Sequence, residues 1–179
     1  MVEILSPKPE LEQLGTVLEL SEKSVPLLVN VLKDGGEEEK LQAMAAIQEY
    51  GPLAEEAIEP LIDELKRFEK YNPRWLRPEY NPKSALIMIG PKSITPLIEI
   101  LKNASQPFMR RRAAQMLGAF LHKTISGEVR RRLWGFLAEI SLRNDEIISV
   151  LKYAADNDPD DSVRYRANKG LRNVKTLNS

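Results

Sequence analysis

The chain has 179 residues with 26 Lys plus Arg and 26 Asp plus Glu, so its formal net charge is zero. This balance excludes a basic field over the whole protein, and attraction to nucleic acid would need a local patch. The sequence has no cysteine, which excludes disulfide bonds, zinc-thiolate sites and thiol nucleophiles.

The N-terminal sequence MVEILSPKPE has no basic segment followed by a long apolar run, which is the pattern of a secretory signal. The sequence contains no run of about eighteen apolar residues, so we expect no transmembrane helix. We therefore expect a soluble protein with a cytoplasmic location and no membrane contact. The length fits a single domain, residues 1–179, that buries its own core.

Three segments of the chain repeat one pattern: SVPLLVNVLKD around Pro26, AIEPLIDELKR around Pro60 and SITPLIEILKN around Pro96. The prolines are 34 and 36 residues apart (60 − 26 and 96 − 60). After the second and third prolines, apolar residues follow the spacing of an amphipathic helix. Because proline is tolerated best in a first turn, the pattern predicts three helices that each begin just before the proline.

Each proline helix has a predicted companion helix. The companions are LQAMAAIQEYG (41–51), FMRRRAAQMLGAF (108–120) and the shorter KSALIMIG (83–90). Gly51 and Gly90, each followed by proline, are typical stops between helices. Since no alternating pattern predicts strands, we expect an all-α chain of about nine or ten helices, arranged in units of roughly 35 residues that bury each other's apolar faces.

The segment DNDPDDSVRYRA, Asp156 to Ala167, links the end of one predicted helix to the start of the next. Together with the Pro-Leu segments, it resembles the HEAT repeat in the short form found in bacterial and archaeal HEAT-like proteins. It is similar to bilin-lyase-type HEAT-like repeats. The family pattern, Pro-Leu-hydrophobic and then Asp-x-Asp-Pro-x-x-x-Val-Arg-x-x-Ala, covers most of residues 21–175.

The resemblance implies an all-α fold, an α-solenoid that forms a right-handed superhelix of about four to five HEAT-like helical pairs. Two segments depart from this regularity. The insertion YNPRWLRPEYNP, residues 71–82, holds three prolines and is not a regular helix. An extra long helix is predicted at about 127–142, and it breaks the short period.

The resemblance also implies a row of hydrogen-bonded acidic and basic side chains between repeats, with an Asp followed six residues later by Arg or Lys. The matches are Asp158 with Arg164 and Asp34 with Lys40. Arg110 falls on the basic position, but Ala104 stands where the acid is expected. We therefore expect a structural role for Arg110, with a partner that the sequence does not identify.

Two triple-arginine runs, 110–112 and 130–132, suggest anion binding. Because each helical residue turns about 100°, three consecutive arginines spread around the helix and cannot all face one ligand. The candidate anion-binding surface consists of Arg111, Arg112, Arg130 and Arg131. It is either a solvated helix surface or a contact for an acidic partner; nucleic acid is the weaker alternative because no aromatic side chain interrupts either run.

The insertion 71–82 also carries residue types that dominate protein interfaces. The candidates are Arg74, Trp75, Arg77 and Tyr80. The alternative is that Trp75 folds back and covers the seam between repeats, since an exposed Trp-Leu pair favours aggregation.

Catalytic and cofactor sites find no support in the sequence. His122 is the single histidine, and with no cysteine the chain lacks the ligands of ordinary zinc or di-iron sites. Nucleotide-binding and nucleophile-elbow motifs are also missing. We therefore expect no catalytic residue, no metal and no cofactor.

The predicted function is a non-catalytic protein–protein interaction or scaffold module that uses a curved helical surface. Two alternatives remain open. One is binding of nucleic acid or another acidic partner through the Arg110–Arg132 face. The other is an accessory subunit of an enzyme, such as a lyase-type complex.

Overall fold

The structure, a computed structural model, describes residues 9–67, 80–121 and 137–175. Within these ranges the chain has nine α-helices and no strand, which confirms the all-α part of the prediction. The helices are α1 (Pro9–Asp34), α2 (Glu37–Tyr50), α3 (Ile58–Arg67), α4 (Pro82–Ile89), α5 (Ile94–Asn103), α6 (Pro107–Phe120), α7 (Leu137–Leu142), α8 (Asn144–Asn157) and α9 (Asp161–Lys175). Short 3₁₀ segments, Gly51–Ala57 and Gly90–Ser93, precede α3 and α5.

Eight of these helices form four contacting pairs: α1 with α2, α3 with α4, α5 with α6, and α8 with α9. The second helices of the pairs contact one another in series, α2 with α4, α4 with α6, and α6 with α9. Among the first helices, α1 contacts α3 and α5 contacts α8. The second helices therefore form one layer, which we call the second-helix layer.

A single apolar core runs through the four pairs. The predicted stripes face it, since Leu61 and Leu65 of α3 and Leu97 and Leu101 of α5 are all buried. Burial of such side chains stabilises each helix by about 1.5–3 kcal/mol per residue, more than helix propensity alone supplies. The apolar spacing in the sequence therefore correctly predicted the buried faces of α3 and α5.

The prolines follow the predicted pattern in two of three cases. Pro60 and Pro96 lie in the first turns of α3 and α5. The prediction for Pro26 was wrong, because this residue lies in the interior of the 26-residue helix α1. Proline removes one helical hydrogen bond there, but the buried side chains of Val25 and Val29 on either side hold the helix against the core.

The two glycines that were predicted to end helices do so. Gly51 follows α2 with φ of +54°, and Gly90 follows α4 with φ of +81°. Residues with a side chain rarely adopt positive φ, so these turns require glycine.

The stretch Pro82–Asn103 has the length and apolar composition to cross a membrane, and 61% of its apolar window is buried inside the protein. It comprises two helices, α4 and α5, with the Gly90 turn between them. Packing in the core accounts for these apolar side chains.

Parts of the predicted irregular segments lie beyond the described ranges. The extra helix predicted at about 127–142 is described only from residue 137, where α7 begins. Of the insertion 71–82, only the last three residues are described, and Pro82 begins α4. The single-domain assignment stays a prediction.

A buried ion pair joins the first two helical pairs. Lys40 of α2 and Glu64 of α3 are 5% and 2% exposed, and the Lys40 Nζ lies 2.9 Å from the Glu64 Oε1. Arg67 donates to the same carboxylate oxygen at 2.8 Å. The Lys40 Nζ also donates to the main-chain oxygen of Lys33 at 3.4 Å.

Glu64→Ala is expected to lower the free energy of unfolding by about 3–5 kcal/mol, because it leaves the Lys40 charge buried without its carboxylate. Urea denaturation measures this loss. Asp63→Ala is the matched control: Asp63 is exposed and pairs only with exposed Lys66, so we expect a change within about 0.5 kcal/mol. Similar losses in the two variants would contradict the burial argument.

Candidate functional site

Arg110, from the first arginine run, is part of the scaffold. Its Nε and Nη2 donate to the two carboxylate oxygens of Asp158 at 2.8 and 3.0 Å. Its Nη1 donates to the main-chain oxygens of Ala104 and Ser105 at 2.8 and 3.1 Å. Both members of the ion pair are only 9% exposed. The expected structural role is confirmed, and the partner lies 48 residues further along the chain.

The electrostatics of this pair favour the charged forms. Burial alone would raise the pKa of Asp158, but hydrogen bonds from Arg110 and from the Asp160 main-chain N–H outweigh it and lower the pKa below its ordinary value. The hydrogen bond to Asp158 raises the pKa of Arg110 against the effect of burial. The pair therefore stays ionised wherever the protein is folded near neutral pH.

The pairings suggested by the six-residue spacing differ from those in the structure. Arg164 donates from Nη1 to the main-chain oxygen of Asp158 at 2.5 Å and pairs with the carboxylate of Asp161. The Asp158 carboxylate binds Arg110 instead. Likewise, Lys40 takes its carboxylate from Glu64 of the following pair. For Arg110 and for Lys40, the bound carboxylate comes from the next described helical pair.

Arg111 and Arg112 occupy positions different from that of Arg110. Both are half-buried, whereas Arg110 points into the structure. This agrees with the predicted spread of three arginines around a helix. Only Arg111 and Arg112 of the first run are therefore partly exposed.

Two further cations, Lys83 and Arg166, were not predicted from the sequence. Arg110 and Arg164 hold equivalent positions, because each donates to the main-chain oxygen six residues earlier. Arg112 and Arg166, two residues further on, are consequently equivalent positions on the contacting helices α6 and α9. Lys83 lies in the first turn of α4, which contacts α6. We call Lys83, Arg111, Arg112 and Arg166 the basic face.

The cations of the basic face influence one another. Burial lowers the pKa of Lys83, and the positive charges of Arg112 and Arg166 lower it further. Burial also lowers the pKa of Arg112, with the charge of Arg111 as the second cause. Lys83, Arg112 and Arg166 come from three different helices of the second-helix layer, and Arg111 lies on the same helix as Arg112. All four side chains are half-buried. Like charges are thus concentrated where water screens them incompletely.

The other end of the second-helix layer has the opposite charge. Glu37, Glu38 and Glu39 form the first turn of α2 and are exposed. The layer is therefore acidic at α2 and basic from α4 to α9.

The remaining predicted partner-binding residues fall into two groups. Tyr80 is half-buried and packs against the apolar core, so part of its ring is unavailable to a partner. The others lie outside the residues that the structure describes; they are Arg74, Trp75, Arg77, Arg130 and Arg131. His122 lies outside them too. Within the described ranges, no group of three or more His, Asp or Glu side chains could hold a metal ion.

A cavity of about 310 Å³ lies where α5 and α8 end. Its lining includes Leu101, Val150 and Tyr153, with Arg110 and Asp158 among its polar groups. These two charged side chains are directed to each other and to the main chain. The cavity is therefore a gap between helical pairs, and its Arg110 and Asp158 side chains bind each other.

No protein-family model matches the sequence, and no curated protein is similar to it. The resemblance to HEAT repeats accordingly depends on the residues of this chain alone.

Proposed function

We propose that this chain is a non-catalytic interaction module, an α-solenoid of HEAT-like helical pairs, and that its second-helix layer binds an acidic segment of another protein. The serial contacts of α2, α4, α6 and α9 support the solenoid arrangement, because stacked repeats contact mainly their neighbours. A continuous layer of this kind offers one extended surface to a partner.

The observation that carries the proposal is the concentration of cations on the basic face. Lys83, Arg112 and Arg166 are half-buried on α4, α6 and α9, and the charges of both arginines lower the pKa of Lys83. An acidic partner gains charge-assisted hydrogen bonds on such a surface. Such complementarity also speeds association and selects among partners.

The distribution of charge favours a protein partner over nucleic acid. A polyanion lying along the second-helix layer would meet Glu37, Glu38 and Glu39 at the α2 end. Nucleic-acid binding depends on uniform phosphate neutralisation over several contacts. A protein partner can instead match both the basic and the acidic end of the layer.

The test uses the chain as bait in its native cell extract, with cross-linking and mass spectrometry. The variant Lys83→Gln/Arg112→Gln/Arg166→Gln removes three charges of the basic face. The matched control Lys33→Gln/Lys102→Gln/Lys152→Gln removes three exposed charges from the first helices α1, α5 and α8. We expect acidic partners to be retained by wild type and control and to fall about tenfold in the first variant.

Equal recovery of partners by all three proteins would overturn the proposal. Binding of duplex DNA or of RNA at low salt, lost in the basic-face variant, would favour the nucleic-acid alternative. Trp75→Ala in the same experiment tests the insertion, and unchanged partners would remove residues 71–82 from the interface.

A further inference from the structure

We propose that this chain binds a second copy of itself end to end, with Arg164 in the last helical pair of one copy binding Asp34 in the first helical pair of the next. The contact uses the two ends of the stack of helical pairs, so it is separate from the acidic partner proposed for the basic face. It repeats, between two copies, a junction that already exists inside the chain.

The junction between α6 and the last helical pair provides the pattern. There Arg110 of α6 binds the carboxylate of Asp158, the residue that directly follows α8 in the next pair. Asp158 lies six residues before Arg164, and Arg164 is the residue equivalent to Arg110 in its own pair. The cation of one pair therefore binds the acid that lies six residues before the cation of the following pair.

Arg164 stands at this cation position in the last described pair. Its Nη1 donates to the main-chain oxygen of Asp158, just as the Nη1 of Arg110 donates to that of Ala104. Its carboxylate, however, comes from Asp161 of its own helix, whose side chain is 90% exposed. An ion pair so exposed contributes about 0–1 kcal/mol, so Arg164 can exchange this carboxylate for a better-covered one at little cost.

Asp34 stands at the acid position of the first pair. It is the last residue of α1 and lies six residues before Lys40, the buried cation of that pair. Asp34 is exposed, and within the described ranges its carboxylate has no hydrogen bond or ion pair. A negative charge at the C-terminal end of a helix opposes the helix dipole. Asp158 has the same setting at the end of α8, where Arg110 offsets its charge.

The two ends of the stack also have complementary net charges. The helix α1 has five acidic residues and two lysines, and α2 has four glutamates and one lysine, so each has a net charge of −3. The helix α9 has five Lys or Arg and one Asp, a net charge of +4. The charge of α8, with three acidic residues and one lysine, is −2 and opposes this attraction, but it is half as large as that of α9. Opposite net charges steer the basic end of one copy to the acidic end of another.

Exposed apolar side chains are concentrated on the same two pairs. Leu20 and Leu27 of α1 are 52% and 65% exposed, and Tyr153 of α8 and Tyr165 of α9 are 69% and 60% exposed. The helices between them, α3 to α6, have no exposed large apolar side chain. Terminal repeats normally have polar outer faces, because no neighbouring repeat covers them. Apolar side chains at both ends are expected if a second copy covers part of each end.

The contact between copies is expected to be weak and to depend on salt. The pair of Arg110 and Asp158 forms within one chain, whereas two copies lose translational and rotational freedom when they associate. Salt screens the attraction between exposed charges. Because the two ends are different surfaces, one contact leaves an end open on each copy, and further copies add until a ring closes or a linear chain forms.

Sedimentation velocity of the full chain measures this assembly. Between about 1 and about 200 μM, the range of a weak contact, we expect the average mass to rise with concentration beyond that of a dimer. High salt should shift the rise to higher concentration. A protein that stays monomeric over this whole range would overturn the proposal.

A charge exchange tests the assigned pair. Asp34→Arg and Arg164→Glu should each raise the concentration needed for assembly at least about tenfold, because each places like charges at the contact. An equimolar mixture of the two variants should assemble as wild type does, since every contact between unlike variants then joins an arginine to an acid. Asp34→Arg should also fold at least as well as wild type, because a cation is favourable at the C-terminal end of α1.

Glu22→Arg is the matched control, because Glu22 is another exposed acid of α1 and the change in charge is the same. We expect its assembly to stay within about twofold of wild type. Equal weakening by Glu22→Arg and Asp34→Arg would show that only the overall charge of α1 matters, and the assigned pair would be wrong. A dimer that grows no further and does not respond to Asp34→Arg would show a symmetric contact through another surface. None of these outcomes decides the acidic partner, which the basic-face variant tests.

Discussion

Replacing Asp158 with alanine is expected to lower the free energy of unfolding by about 3–5 kcal/mol, as large a loss as that expected for Glu64→Ala. The substitution leaves the Arg110 guanidinium buried with only main-chain oxygens as acceptors. It also removes the acceptor of the Asp160 main-chain N–H, which lies 3.0 Å from the carboxylate. Equilibrium unfolding in urea gives the change directly.

Two further variants isolate the ion pair. Arg110→Met should lower the free energy of unfolding by a similar amount. The double variant should lose less than the sum of the two single losses, because both single substitutions break the same ion pair. Glu146→Ala provides the control, because its pair with Arg143 is exposed and formed within one helix turn. Additive losses from Arg110→Met and Asp158→Ala would show that the two side chains do not act together.

The same pair predicts how stability depends on pH. Asp158 has a lowered pKa in the folded protein, so it contributes stability above its ordinary pKa of 3.8. That contribution disappears as the pH falls through the lower pKa of the folded state. We therefore expect the stability difference between wild type and Asp158→Asn to be constant near neutral pH and to shrink only in acid. A difference that does not change in acid would contradict the assignment.

Replacing Gly118 with alanine is expected to destabilise the protein by about 1–3 kcal/mol through overpacking. A Cβ on Gly118 would lie 2.7 Å from the Cα of Gly170, and a Cβ on Gly170 would lie 2.9 Å from the Cα of Gly118. The neighbours are main-chain atoms, which cannot rotate away, so α6 and α9 would have to separate. The sign of the change in stability tests the close contact, because glycine to alanine inside an ordinary helix stabilises a protein by about 1 kcal/mol.

Asn168→Ala is the control for this prediction. Asn168 is exposed on α9, two residues before Gly170, and its side chain bonds only within the helix, to Arg164. We expect a change within about 0.5 kcal/mol. Thermal or urea unfolding compares the variants, and a Gly118→Ala protein that is more stable than wild type would show that the close helix contact is absent in solution.

The sequence predicted the features that depend on local pattern. The Pro-Leu-Ile stripes placed α3 and α5 with their buried faces, and glycine followed by proline placed the ends of α2 and α4. The position of Pro26 was predicted wrongly, because the buried side chains on either side of it stabilise α1 by more than the lost hydrogen bond costs. Local propensity is a weak guide where tertiary packing is strong.

The candidate site depended on contacts that no local pattern contains. Arg110 could be assigned to the scaffold from its position in the repeat, but its partner Asp158 lies in a different helical pair. Lys83 stands alone in the sequence and becomes part of a cluster only when α4 packs on α6. Arg166 could have been found, since it follows Arg164 by the same two residues that separate Arg112 from Arg110.

The contact between Gly118 and Gly170 has a consequence for the entropy of binding. Arg112 lies six residues before Gly118, and Arg166 lies four residues before Gly170. With the two main chains touching at the glycines, the helices that carry both arginines hold a fixed spacing before any ligand arrives. A ligand then orders side chains and not helices, and the conformational freedom lost on association is correspondingly small.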